Sequence, residues 1–137
     1  MIALRSSVLG AAAVVLLVGA LAGTSAVGAQ PTTVTITIRH SAFEPVEVVV
    51  PRGVPITFVI VNGDPIAHEW IVGDADVHER HRTGTEPAHE HRPTEISVPA
   101  LATRETTITF DAPGTRLMIC HLPGHEAYGM VATLRVV

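Results

Sequence analysis

The 137-residue chain is long enough for one compact domain, and 47% of its residues are hydrophobic, which is enough for a core. Lys and Arg together number 9, all of them arginine, against 13 acidic residues. A net acidic chain without a basic stripe argues against nucleic acid as a partner and offers no polybasic attraction to anionic lipid.

The first 29 residues have the order of a secretory signal peptide. Arg5 is followed by an apolar stretch, and small residues at 27–29 offer a cleavage site. The alternative is an uncleaved membrane anchor, although the apolar run at 8–23 is shorter than the ~20 residues that a spanning helix needs. We expect a signal segment at 1–29 and a folded domain at 30–137. The domain is expected in the periplasm, outside the cell or on the outer face of the cytoplasmic membrane, with membrane association only through an uncleaved N-terminus.

After residue 30 the pattern changes to period-two alternation with many β-branched residues, which predicts strands. The strands are expected at 34–40, 46–50, 56–62, 68–72, 94–100, 105–110, 115–121 and 130–137. The polar stretch 73–93 has no apolar period and is expected to be a functional loop or a short helix. Seven or eight short strands without a helical period predict an all-β sandwich.

The segment 120–130, CHLPGHEAYGM, contains three side chains that can bind a soft metal. Cys120, His125 and Met130 are joined by a Pro-Gly turn and by Gly129, which lets the backbone bend back. Sulfur ligands together with imidazole select copper over hard cations. Cys120 is the only cysteine, so it cannot form a disulfide within the chain.

A further ligand is expected from a loop at the same end of the sandwich. His68 fits best, because it begins a strand just after a turn at 62–65, although His40, His78 and His81 also lie upstream. Two histidines and a cysteine with a weak axial methionine form the blue-copper electron-transfer site.

This segment resembles the C-terminal ligand loop of the cupredoxins and is closest in spacing to rusticyanin- and sulfocyanin-like members. The resemblance implies a Greek-key β-sandwich of the cupredoxin type that holds one copper ion, cycling between Cu(I) and Cu(II). It also implies metal ligation by His68, Cys120, His125 and Met130. One departure is Glu69, where several relatives have an asparagine that ties the two ligand loops together.

We expect an exported, monomeric electron carrier that serves redox partner proteins such as cytochromes or a terminal oxidase. Four protein ligands leave no open metal position, which argues against an enzyme. The alternative function is copper binding and delivery. It is favoured by four histidines in the polar stretch: His78, His81, His89 and His91. These histidines form either a second metal site or an ordinary solvated loop.

Other residues near the expected ligands have more ordinary interpretations. Trp70 and Met118 are expected to be core residues, and His121 should point away from Cys120 because neighbours on a strand face opposite sides. Leu122 and Tyr128 belong either to an apolar docking patch around His125 or to ordinary loop packing.

Overall fold

The computed structural model describes residues 32–85 and 92–137. In that part of the chain, nine strands form two sheets, and one helix, α1 (Ala75–Thr83), lies between the fifth and sixth strands. The strands are β1 (Thr32–Arg39), β2 (Ala42–Glu44), β3 (Glu47–Val50), β4 (Pro55–Asn62), β5 (His68–Gly73), β6 (Glu95–Val98), β7 (Thr103–Thr109), β8 (Gly114–Ile119) and β9 (Val131–Val136). The predicted all-β sandwich is confirmed.

The two sheets combine antiparallel and parallel pairs. One sheet has the order β2-β1-β4-β7 and the other has the order β3-β9-β8-β5-β6. The pairs β1–β4 and β3–β9 are parallel, and the other pairs are antiparallel. The sequence predicts seven or eight strands, and the additional one is β2, a three-residue strand that forms a hairpin with β1.

Alternating burial along the strands places one face of each sheet in a common core. In β4, Ile56, Phe58 and Ile60 are fully buried, while the residues between them are only partly buried. Phe58 meets Trp70 of the opposite sheet with ring centroids 5.0 Å apart. The Trp70 indole N–H donates to the Met118 sulfur at 3.3 Å, so both residues are core residues, as predicted.

Helix α1 occupies the first half of the polar stretch that was expected to be a loop or a short helix. The Asp74 side chain accepts a hydrogen bond from the Val77 N–H at 3.1 Å, and Gly84 ends the helix in the left-handed conformation. His78 is its only buried residue, so the sequence shows no apolar helical period. His89 and His91 lie outside the described residues.

The pairing of three strands creates the end of the sandwich that matters for function. Strand β5 begins at His68 and runs antiparallel to β8, which ends at Ile119. Strand β9 begins at Val131 and is antiparallel to β8. The start of β5, the end of β8 and the start of β9 therefore lie at one end of the same sheet.

Across residues 32–85 and 92–137, the structure has no helix that combines the length and apolar character needed to span a bilayer. The predicted signal segment at 1–29 lies outside the described residues. The proposed domain start at residue 30 stays a prediction.

Candidate metal centre

Three of the four predicted ligands converge at this end of the sandwich. The Nδ1 atoms of His68 and His125 are 3.1 Å apart, and the Cys120 Sγ lies 3.3 Å from the His125 Nδ1. One ligand atom from each residue lies within 4.8 Å of the other two. His68 and Cys120 are buried and His125 is partly buried, so this group of nitrogen and sulfur atoms is largely shielded from water.

Met130, the fourth predicted ligand, is fully buried immediately before β9. Its carbonyl accepts a hydrogen bond from the Cys120 N–H at 3.3 Å, and its own N–H donates to the His125 carbonyl at 3.1 Å. The backbone of Met130 is therefore fastened to the backbones of two other predicted ligands.

The loop between Cys120 and Met130 is a series of tight turns. The His125 N–H donates to the Leu122 carbonyl at 3.0 Å, and the Gly129 N–H donates to the Glu126 carbonyl at 2.9 Å. Gly124 and Gly129 have φ values of 85° and 93°, which L side chains rarely adopt. The Pro-Gly pair and the second glycine therefore let the chain bring His125 and Met130 back to Cys120.

A buried carboxylate orients His68 from the side opposite to Cys120. The Asp64 Oδ2 lies 3.0 Å from the His68 Nε2, and the carboxylate also accepts the backbone N–H groups of His40 at 2.7 Å and Ser41 at 2.8 Å. Burial alone would raise the pKa of Asp64, but the hydrogen bonds from Ser41, His40 and His68 lower it below its usual value.

The ionised Asp64 determines which nitrogen of His68 carries the proton. A carboxylate is an acceptor only, so the Nε2 of His68 must donate to it, and the Nδ1 lone pair then faces Cys120 and His125. Burial lowers the pKa of His68, which favours the neutral imidazole that metal ligation requires.

Asn62 holds the loop that carries Asp64. Its side-chain N–H group donates to the Ile66 carbonyl at 2.8 Å and the Pro99 carbonyl at 2.9 Å, and its side-chain oxygen accepts the Asp64 N–H at 2.9 Å. Sequence reasoning treated this stretch only as a turn and missed both residues. The available signal was a pair of short polar residues ending a strand just before a candidate ligand.

The sulfur of Cys120 is held by the backbone of the opposite ligand loop. The Glu69 N–H donates to Sγ at 3.3 Å, so a main-chain hydrogen bond at the position of Glu69 links the two ligand segments. Burial raises the pKa of the Cys120 thiol. A soft cation would compensate the buried thiolate, and the sulfur and imidazole donors fit copper.

The remaining histidines of the described residues lie outside this group. His40 is exposed, and His78 and His81 are on α1. His121 is on the α1 side as well, with its Nε2 2.9 Å from the His78 Nδ1. His78 is fully buried, so the interpretation of this histidine as part of a solvated loop is wrong.

Comparison with known proteins agrees with the fold. The model of the cupredoxin-like domain family matches residues 10–132. A search of curated proteins gives no match. Among solved structures, auracyanin B is similar with a TM-score of 0.65 and 26% identity, covering 81% of this chain and 93% of its own.

Two further auracyanins are similar to this chain. The dithionite-reduced auracyanin of the photosynthetic bacterium Roseiflexus castenholzii has a TM-score of 0.64 and 26% identity, covering 77% of this chain and 97% of its own. Auracyanin A, a "blue" copper protein of the green thermophilic photosynthetic bacterium Chloroflexus aurantiacus, has a TM-score of 0.60 and 28% identity, covering 79% of this chain and all of its own.

Proposed function

The chain belongs to the cupredoxin-like family, and from that premise we propose that it is a mononuclear blue copper protein that carries single electrons between redox partner proteins. The observation that carries the proposal is the convergence of His68, Cys120 and His125, which each bring one ligand atom within 4.8 Å of the other two. Met130 is the proposed weak fourth ligand, in keeping with the donor set of blue-copper sites.

Copper supplies one-electron exchange between its cuprous and cupric states. The protein's part is to keep the ligands in one arrangement. Asp64 fixes the tautomer of His68, the Glu69 N–H holds the Cys120 sulfur, and backbone hydrogen bonds join Met130 to its neighbours. A site held from several sides needs little rearrangement when its charge changes, which favours rapid electron transfer.

The proposed route for electrons is the partly exposed edge of His125. Tyr128, three residues later, is 86% exposed, and Leu122 packs against the core from the other side of the turn. Large exposed aromatic side chains are common at docking surfaces. We assign the surface of this loop to contact with redox partners. The four proposed protein ligands would leave no open position on the metal, which argues against catalysis.

Copper delivery, the alternative function, depended on the four histidines of the polar stretch. His78 is buried, and the Nδ1 of His81 lies 2.9 Å from the Val77 carbonyl. His78 is thus unavailable at the surface, and a ring nitrogen of the partly buried His81 is engaged by its own helix. This observation favours electron transfer.

Export remains part of the proposal. The order of charge, apolar residues and small residues at 1–29 supports a secretory signal before a domain at 30–137. Mass spectrometry of the protein purified from a cell envelope fraction tests it, and a chain that still starts at Met1 in the cytosol would contradict export.

The decisive experiment is to load the purified protein with Cu(II) and record its visible and EPR spectra. We expect an intense blue band that is lost in Cys120→Ser and His68→Asn but kept in the matched control His40→Asn. A reversible one-electron voltammetric wave would then support electron transfer. A blue band that persists in Cys120→Ser would overturn the ligand assignment, and rapid copper transfer to an apo-acceptor without a reversible wave would favour delivery.

A further inference from the structure

Helix α1 packs against the loop that carries the proposed copper ligands, although few of its residues are apolar. Its one buried residue is His78, so burial of an apolar face does not explain why the helix lies where it does. Polar side chains must therefore supply much of the contact between α1 and the rest of the protein.

His78 connects α1 to the residue that follows Cys120. Its Nε2 lies 3.2 Å from the Leu117 carbonyl, and its Nδ1 lies 2.9 Å from the His121 Nε2. A carbonyl only accepts, so the Nε2 of His78 donates to Leu117, and a neutral His78 then accepts the N–H of His121 through Nδ1.

Arg82 connects α1 to the residue that follows His125. Its Nε lies 3.0 Å from both carboxylate oxygens of Glu126, and its Nη2 lies 2.7 Å from Oε1. This two-pronged geometry fixes the direction as well as the distance of the partner. The side chains of Arg82 and Glu126 are 39% and 30% exposed, so the pair is accessible to solvent yet well defined.

His78 and Arg82 are four residues apart and therefore lie on the same face of α1. One contacts the residue next to Cys120 and the other contacts the residue next to His125. We propose that α1 restrains the ligand loop from outside, with Arg82 and His78 as positioning residues that keep Cys120 and His125 in place. The inference deepens the proposed copper function and rests on it.

The first test uses the copper-free protein and follows hydrogen exchange of the Tyr128 and Gly129 amides, whose N–H groups bond within the loop. We expect Arg82→Gln and Glu126→Gln each to speed this exchange by about threefold, as for loss of a half-exposed ion pair. The matched controls are Arg104→Gln and Glu105→Gln, which remove the same charges from exposed positions in β7. Equal exchange in variants and controls would overturn the proposal.

The second test separates positioning from simple electrostatics in the copper-loaded protein. Removing a positive charge and removing a negative charge should shift the reduction potential in opposite directions. Loss of a shared restraint should instead change the EPR hyperfine splitting and the ratio of absorption bands in the same direction in both variants. Opposite potential shifts with unchanged spectra would show that the pair acts only through its charges.

The two tests also distinguish this inference from the proposed function. If the unmodified protein lacks a blue band, the copper function fails, while the exchange rates of the copper-free protein still decide whether α1 restrains the loop. Thermal unfolding by circular dichroism checks that each variant remains folded. Both substitutions are at partly exposed side chains, so we expect melting temperatures close to those of the controls.

Discussion

Asp64 is a single residue on which two features of the structure depend. Its carboxylate accepts the N–H groups of His40 and Ser41, whose φ values of 54° and 55° are in the left-handed region. The same carboxylate accepts the N–H of His68. Two non-glycine residues with positive φ cost energy, and hydrogen bonds to a charged acceptor offset that cost. Asp64 thus stabilises the β1–β2 turn and the tautomer of a proposed ligand together.

Replacing Asp64 with asparagine removes the negative charge next to His68. A nearby negative charge favours the more positive cupric site, so its loss should raise the reduction potential, by on the order of 60 mV, which is a tenfold change for a one-electron couple. The amide cannot accept all three N–H groups, so the free energy of unfolding should fall by about 1.5–3 kcal/mol. Voltammetry and urea denaturation measure the two effects.

The matched control for this change is Asp111→Asn. Asp111 is exposed and precedes β8, so it lies at the end of the sandwich away from Cys120. We expect the reduction potential and the free energy of unfolding of the Asp111→Asn variant to stay close to those of the unmodified protein. If Asp64→Asn lowers stability but leaves the potential equal to that of Asp111→Asn, the carboxylate has only a structural role in the turn.

Among the elements, α1 depends on close contact with the end of β5. A Cβ at Gly73 would lie 2.5 Å from the Cβ and 2.6 Å from the Cγ1 of Val77. These distances are shorter than real carbon atoms allow, so only glycine permits the helix to approach the strand this closely.

We therefore expect Gly73→Ala to displace α1 and to lower the free energy of unfolding by about 1–3 kcal/mol, as for other overpacked positions. Thermal denaturation should show a lower melting temperature, by about 4–8 °C for each kcal/mol in a domain of this size. Ser97→Ala, on the exposed face of β6, is the control. If Gly73→Ala melted at the same temperature as Ser97→Ala, the displacement of α1 would not lower the free energy of unfolding, and the close packing at Gly73 would not matter for stability.

The sequence predicts elements well where burial alternates and poorly where contacts are distant. The alternation in 56–62 gives β4 to within one residue. Strand β2 has only three residues and is defined by its pairing with β1. A segment this short has no alternation of its own from which a strand could be predicted. Helix α1 has no apolar period, and its one buried residue, His78, contacts the Leu117 carbonyl and His121, both far along the chain.

At the scale of the whole molecule, the sequence predicts the grouping of His68, Cys120 and His125 but not the residues that surround this group. Fixed spacing of Cys120, His125 and Met130 indicates the loop, and a strand start after a turn indicates His68. The contacts of Asp64 with His40 and of Arg82 with Glu126 join residues more than 20 positions apart. Spacing within one sequence cannot reveal such pairs, since they depend on how the two sheets and α1 come together.

The proposed ligands come from the start of β5 and from the loop between the end of β8 and the start of β9, so copper should stabilise the entire fold. A ligand that binds only the native state, at a free concentration 1,000-fold above its Kd, adds about 4 kcal/mol. For a domain of this size that raises the melting temperature by more than about 15 °C, and a chelator should reverse the gain. Calorimetry of the loaded and copper-free forms measures it. Cys120→Ser should lose most of the gain, because the thiolate is the strongest soft donor; a gain of equal size in that variant would show that the ion binds elsewhere on the protein.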